Sequence, residues 1–217
     1  MTDFELASGR GARAALVEAA RTLTPVSDTP RLDAELLMAH ALGTTRDQLL
    51  LRHLDAAVPD TFDALVRRRL AHEPVAYITG TRAFWTIELQ VGPGALVPRP
   101  DSETLIEAAI EYFGDRSPGR ILDLGTGPGT LLLAALDQWP EAQGLGIDAS
   151  EQALGYARAN AERLDMAGRA EFRLGDWAAG IDARFDLILA NPPYIGTAEP
   201  LPAEVREHEP ASALFAG

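Results

Sequence analysis

Apolar positions in the first eighty residues recur at helical spacing. Leu16, Ala19, Ala20 and Leu23 fall on one face of a first helix, and Leu32, Leu36, Leu37, Ala39 and Leu42 mark a second that stops at Gly43. The same period predicts helices over residues 45–52 and 62–72, the latter capped by Asp60 or Thr61. Near residue 80 the pattern changes to β character. Residues 84–91 carry it, Gly92-Pro93-Gly94 breaks the run, and 95–97 resume it, which predicts a hairpin. From Arg99 helix and strand alternate: helices over 101–113, up to about 138, and 150–164, and strands at 120–124, 145–148, 170–174 and 185–190. The expectation is an α/β chain with a small N-terminal helical bundle over residues 1–82, a β-hairpin connector over 83–98 and a doubly wound sheet domain over 99–217.

With 217 residues, 47% of them hydrophobic, the chain can bury one good core with a small second domain beside it. No apolar run is long enough to cross a bilayer, and Met1-Thr2-Asp3-Phe4-Glu5 is acidic where a secretory signal would be basic and then apolar. Absence of cysteine excludes disulfides and thiolate metal sites, and the expected location is cytoplasmic with no membrane partner. All 19 basic residues are arginine, and charge is uneven. Residues 1–82 hold 10 arginines against 11 carboxylates, a net of −1, whereas 83–217 hold 9 against 21, a net of −12. Such a surface repels polyanions, so nucleic acid is disfavoured as a partner. The run Arg67-Arg68-Arg69 reads most simply as a solvated helix face.

Candidate chemistry concentrates at strand ends, where open α/β sheets place their sites. Asn191-Pro192-Pro193-Tyr194 follows the strand at 185–190. Each proline fixes its φ and lacks an N–H, leaving a stiff turn that presents the Asn191 side-chain carbonyl, backbone carbonyls and the flat ring of Tyr194. A planar substrate bearing –NH₂ fits that set. Asp123-Leu124-Gly125-Thr126-Gly127-Pro128-Gly129 puts three alternate glycines between a strand and a helix, where backbone can approach a ligand closely. Asp148, 19 residues beyond Gly129, ends the next strand and can accept from both hydroxyls of a ribose. The pair suits a nicotinamide cofactor and S-adenosyl-L-methionine equally, although the spacing is G-x-G-x-G rather than G-x-G-x-x-G; a tight turn with an acidic surface residue is the plain alternative. Trp177 offers a stacking face for a base and Asp176 an acceptor for an exocyclic amine, unless Trp177 belongs to the core.

Asn-Pro-Pro-Tyr after the fourth strand of a sheet that opens with G-x-G-x-G resembles the class I methyltransferases acting on conjugated –NH₂ nitrogens: adenine N6, guanine N2, cytosine N4 or glutamine N5. Glu73-Pro74-Val75-Ala76-Tyr77-Ile78-Thr79-Gly80, Phe84-Trp85 and Leu96-Val97-Pro98-Arg99-Pro100-Asp101-Ser102-Glu103 narrow this. Together they resemble the hallmarks of the release-factor glutamine methyltransferases, the PrmC/HemK family. The resemblance runs from the helical domain to the end of the chain.

That resemblance implies a Rossmann-like domain binding S-adenosyl-L-methionine, and a helical domain engaging class 1 peptide chain release factors, whose Gly-Gly-Gln loop supplies the methylated glutamine N5. By position, Gly125, Thr126, Gly127, Pro128 and Gly129 would line the cofactor's methionine and ribose, Asp148 would hold the ribose, and Asp176 and Trp177 would border the adenine. Asn191, Pro192, Pro193 and Tyr194 would hold the glutamine, with Asn191 and Pro192 catalytic and Asn191 also touching the cofactor. Residues 99–103 would add to the cofactor wall, with Phe84 nearby.

Pro128 replaces the Thr or Ser of many members and removes one N–H from the glycine turn. The chain also stops at Gly217, soon after the fourth strand, where the family fold continues with further strands. The expectation is therefore a C-terminally incomplete sheet whose fourth strand is an open edge with a bare apolar face. Two other functions stay open: amino-group methylation of a nucleic acid, and release-factor binding without catalysis.

Overall fold

The structure, a computed structural model, describes residues 11–196 and 199–215; the acidic Met1 to Glu5 segment and Gly217 lie outside the described residues. The chain divides into two compact units, Met1–Thr79 with Ala203–His208, and Gly80–Pro202 with Glu209–Gly217.

The first unit packs α1 (Ala12–Leu23), α2 (Pro30–Leu42), α3 (Arg46–Arg52), α4 (Phe62–Leu70) and α5 (Val75–Thr79) around Leu16, Leu23, Leu37, Met38, Leu49, Phe62 and Val66, all fully buried. Local chemistry sets the ends. Pro30 starts α2, and Gly43 takes a left-handed φ of 64° to close it, its N–H bonding the His40 carbonyl at 3.0 Å. Thr45 and Gln48 form a capping box at α3. Helix α4 ends at Leu70, short of the expected residue 72, because His72 adopts a left-handed φ of 62°.

The arginine run is not a uniformly solvated face. Arg68 pairs with Glu73 at 2.5 Å near the surface, but Arg69 is buried. Its guanidinium meets Asp33 at 2.7 Å and Glu204 at 2.8 Å, and donates to the Val26 and Glu73 carbonyls at 3.3 Å. Glu204 lies on the short helix later in the chain, Ala203–His208, that completes this unit. A guanidinium shared by two carboxylates and two carbonyls satisfies the donors that burial would otherwise strand.

The second unit opens with an antiparallel hairpin of β1 (Thr81–Phe84) and β2 (Ile87–Gln90). Its turn is at Trp85-Thr86, not at Gly92-Pro93-Gly94 as the pattern suggested, and residues 95–97 form no strand. The reason is packing. Phe84, Ile87, Leu89 and Val91 are all buried, so Phe84 must pair with Ile87 across a two-residue loop, which Trp85 permits at a φ of 55°.

After a short 3-10 turn (Pro100–Ser102) come α6 (Glu103–Phe113), β3 (Arg120–Leu124), α7 (Thr130–Gln138), β4 (Gln143–Asp148), α8 (Glu151–Arg163), β5 (Ala170–Leu174) and β6 (Leu187–Ala190). The four strands β3 to β6 form one parallel sheet in the order β5-β4-β3-β6. Helix α7 is apolar on every side, with Leu131 to Leu136 all buried, which fixes it as the central helix of the unit. Leu122, Leu145 and Ile147 form a smaller core with Ile181 and Phe185. Strand β6 is an edge, and Ile188 on it is 59% exposed, as the sequence led us to expect. Last come α9 (Ala203–His208) in the first unit and α10 (Ala211–Leu214) in the second.

Replacing Arg69 by Ala leaves the Asp33 carboxylate buried without its partner, an expected loss of about 3–5 kcal/mol by urea unfolding. Arg68→Ala, which breaks a more exposed pair, is expected to cost about 1 kcal/mol or less.

Candidate active site

In the central strand pairing, Leu124 lies level with both Ile147 and Ala190. The residues that follow these three strand positions therefore emerge on one edge of the sheet. From β3 the chain turns over the end of β4, the Gly125 and Thr126 N–H groups both donating to the Ile147 carbonyl at 2.9 Å. Gly125 and Gly127 hold φ values of 71° and 57°, with nothing within 4 Å of where a Cβ would stand. That open space makes the turn a cradle which any other residue would fill. Asp148 braces it: one carboxylate oxygen accepts from Gly127 N–H and the other from Ser150 N–H, each at 2.8 Å. Each oxygen keeps a further acceptor position.

Above this turn is a cavity of about 560 Å³. Gly125, Gly127, Asp148, Asp176, Trp177, Asn191 and Pro193 line it from the strand ends, and Gly94, Leu96, Pro210, Ser212 and Phe215 from the surrounding segments. Its size falls within the roughly 300–1,000 Å³ usual for small-molecule sites. Trp177 is 48% exposed, so it is a wall of the cavity and not part of the core. A smaller cavity of about 40 Å³ adjoins it, lined among others by Arg99, Ser102, Asp123, Thr126, Pro128 and Asn191. Asn191 therefore borders both. Its Nδ2 donates to the Ser102 hydroxyl at 3.1 Å, which leaves Oδ1 as the acceptor available to a ligand. Pro192 is exposed and Tyr194 is 76% exposed; they stand beside the cavity and do not line it.

Three expectations need correction. Gly129 is buried and faces neither cavity: a Cβ there would stand 2.8 Å from the Leu133 side chain, so this glycine serves packing at the start of α7. Phe84 is core, 1% exposed, because it fills the inner face of the hairpin. Of residues 99–103, Arg99 and Ser102 reach the smaller cavity, whereas the Glu103 carboxylate accepts the Trp85 N–H at 2.9 Å.

Two residues that sequence reasoning missed hold the walls. Glu209 is buried and accepts from Val97 N–H at 3.1 Å and from the Arg99 guanidinium, which fixes the segment carrying Pro210, Ser212 and Phe215. Asn160, fully buried on α8, bonds Gln90 and Pro128. Both partnerships span long separations, and only the Glu-Pro sequence at 209–210 or the position of Asn160 on the inner face of α8 could have signalled them.

Asp123 sits beneath the turn with both oxygens out of solvent. The Thr126 hydroxyl donates to Oδ2 at 2.6 Å and Leu132 N–H at 3.3 Å, while Oδ1 is buried without a partner. Burial lifts its carboxyl from the ordinary 3.8 to about 7, opposed by the Thr126 and Leu132 hydrogen bonds and reinforced by the Asp148 charge. Between those two values the folded chain holds a proton that the unfolded chain has released. This group therefore favours the fold at low pH, and its contribution is lost as pH rises through the window and is constant above it. Asp123→Asn, which cannot ionise, is expected to gain stability relative to the parent as pH rises from about 4 to about 7 and to keep that gain above it, read from urea midpoints across that range. A difference that does not change with pH would contradict a carboxyl titrating in this window.

Residues 14–80 match the PrmC N-terminal domain family and residues 115–213 a methyltransferase domain family. The release factor glutamine methyltransferase of Caulobacter vibrioides is 43% identical over 88% of this chain and 68% of its own length. That of Rhodospirillum rubrum is 44% identical over 88% of this chain and 60% of its own length, and that of Mycolicibacterium smegmatis 39% over 94% and 74%. The chain thus spans between 60% and 74% of these three relatives. Similarity of this level through both the helical and the sheet unit shows that the chain belongs to the release factor glutamine methyltransferase family.

Proposed function

We propose that this chain carries the chemistry of a protein-glutamine methyltransferase, moving a methyl group from S-adenosyl-L-methionine to the side-chain amide nitrogen (N5) of the glutamine in the Gly-Gly-Gln motif of class 1 peptide chain release factors. The observation that carries the reading is Asn191, held by Ser102 at the wall common to both cavities, with its carbonyl oxygen left as an acceptor.

The donor fits the larger cavity. Gly125 and Gly127 leave room for close approach of its methionine and ribose, the spare acceptor positions of Asp148 suit ribose hydroxyls, and Trp177 with Asp176 suits a purine carrying an amino group. When bound, the cofactor supplies an electrophilic methyl on a sulfonium centre. Net negative charge over residues 83–217 favours a cationic ligand there.

A carboxamide nitrogen is a poor nucleophile because its lone pair is delocalised into the carbonyl. Asn191 Oδ1 accepts one of its hydrogens and the Pro192 carbonyl the other, which orients the nitrogen and raises its electron density. As the new N–C bond forms and the S–C bond breaks, positive charge grows on nitrogen, and both acceptors bind it more strongly than they bind the ground state. The proton then leaves to water. Tyr194, with its ring free, provides a face for the planar amide. The chain's own residues thus bind, orient and stabilise charge without a dedicated general base.

The test is incubation of the chain with S-adenosyl-L-methionine and an unmethylated class 1 release factor, followed by mass spectrometry of the Gly-Gly-Gln peptide. One methyl increment on the glutamine is expected. Transfer to DNA or RNA in place of the factor, or binding of the factor with unchanged mass, would overturn the proposal. In an active preparation Asn191→Ala should lower kcat by about 10²–10³-fold, the loss typical of removing one group that stabilises transition-state charge.

A further inference from the structure

Helix α8 presents Gln152, Tyr156, Asn160 and Arg163 at helical spacing, and these side chains meet the backbone of residues 88–94 in order. Arg163 donates to the Glu88 carbonyl. Asn160 Oδ1 accepts Gln90 N–H at 2.6 Å while its Nδ2 donates to the Gln90 carbonyl at 3.0 Å, so the side-chain amide pairs with Gln90 as a neighbouring strand would. Tyr156 closes on Gly92, where a Cβ would stand 2.4 Å from the phenol oxygen, and Gln152 Nε2 donates to the Pro93 carbonyl at 2.7 Å. At the end of this stretch and just past it, Gly94 and Leu96 line the larger cavity with Gly125 and Gly127.

Asn160 differs from the other three in reaching a second partner. Its remaining amide hydrogen goes to the Pro128 carbonyl at 3.0 Å, in the middle of the glycine turn. The hairpin is tied to its surroundings several times over, by Arg163, by Gln152 and by the Thr86 hydroxyl bonding Asp137 at 2.5 Å. The link to Pro128 is the contact of this side chain that bears on the turn.

We infer that Asn160 is a positioning residue for the methyl-donor site: it ties the glycine turn to the Gln90 end of the hairpin, from which the chain runs on to the Gly94 and Leu96 wall. This rests on the proposal that the larger cavity takes S-adenosyl-L-methionine. Proline gives the arrangement a reason in this chain. Pro128 has no N–H with which to anchor the turn, so its carbonyl is the one backbone group of that residue that can be held, and Asn160 holds it.

Asn160→Asp keeps the shape and the acceptor for Gln90 N–H but loses both donors, placing a carboxylate oxygen against two carbonyls. Asn160→Ala removes the same contacts without adding charge, and carries the test where the aspartate variant does not fold. Hydrogen exchange on the full chain is expected to quicken at the Gly127 and Gly129 amides by on the order of tenfold, the scale of losing one or two neutral hydrogen bonds, with β4 amides such as Leu145 unchanged. Calorimetric titration is expected to show S-adenosyl-L-methionine binding weakened by on the order of tenfold, and the KM for the cofactor to rise while that for the release factor holds. Thr86→Ala, which loosens the hairpin at its far end without touching the turn or the cavity wall, should leave both the turn amides and cofactor affinity near parent values.

Unchanged turn amides in both Asn160 variants would overturn the inference, as would equal loss of cofactor affinity in Thr86→Ala. A parent chain that binds no S-adenosyl-L-methionine would instead overturn the cofactor proposal and with it the part of Asn160 in the reaction, while exchange at Gly127 and Gly129 would still decide whether Asn160 anchors the turn.

Discussion

Parallel register in the middle of the sheet is the constraint on which the site depends. Leu124 stands level with Ile147 on one side and Ala190 on the other, so the glycine turn, Asp148 and Asn191 leave the sheet on one line. Nothing in the chemistry of those residues enforces that alignment. The apolar faces do: Ile121 and Leu122 are buried on opposite sides of β3, and a slip of one residue would reverse every inward and outward side chain of the strand that moved. Hydrophobic packing at a distance from the cavity thus determines the geometry inside it.

Local pattern and chemistry were legible in the sequence, and long-range partnership was not. The bounds of β3 and β5 agree residue for residue with those expected from the sequence, because each strand is short and is bounded by turn residues. Gly125, Gly127, Asp148, Asp176, Trp177 and Asn191, singled out by type and spacing, do converge on one cavity. The hairpin turn was misplaced because Gly92-Pro93-Gly94 has the composition of a turn, whereas the actual turn holds a tryptophan at positive φ. Only the burial of Phe84 against Ile87 decides between them. Gly129 looked like its two neighbours in the motif, yet its lack of a side chain answers to Leu133 and not to a ligand. Arg69 was indistinguishable from Arg67 and Arg68 until Asp33 and Glu204 came to it from elsewhere in the chain.

The site also concentrates polar groups that a stable core would avoid. Asp123 is a carboxyl in an apolar setting with one oxygen unpartnered, directly below glycines held at positive φ. Glu209 and Asn160 are buried too, but each is satisfied: Glu209 by Val97 N–H and the Arg99 guanidinium, Asn160 by backbone groups of Gln90 and Pro128. The contrast separates two uses of buried polarity. Satisfied groups fix where loops lie, at little net cost. Asp123, with one oxygen unsatisfied, is instead a lining residue of the smaller cavity, and unsatisfied polarity of this kind gathers where a protein must keep room for something else.

The path of the chain between Pro202 and Glu209 bears on how the protein can be divided. Polypeptide leaves the sheet unit, builds the helix that carries Glu204 to Arg69, and returns at once to place Glu209 against Val97. Neither unit is a contiguous stretch of sequence. A cut after Thr79 would separate Arg69 covalently from one of its two carboxylates, and an excised sheet domain would carry a six-residue helix with no bundle to receive it. For this chain, expression boundaries drawn at the obvious change of sequence character near residue 80 would yield two fragments, each missing or carrying a piece of the other.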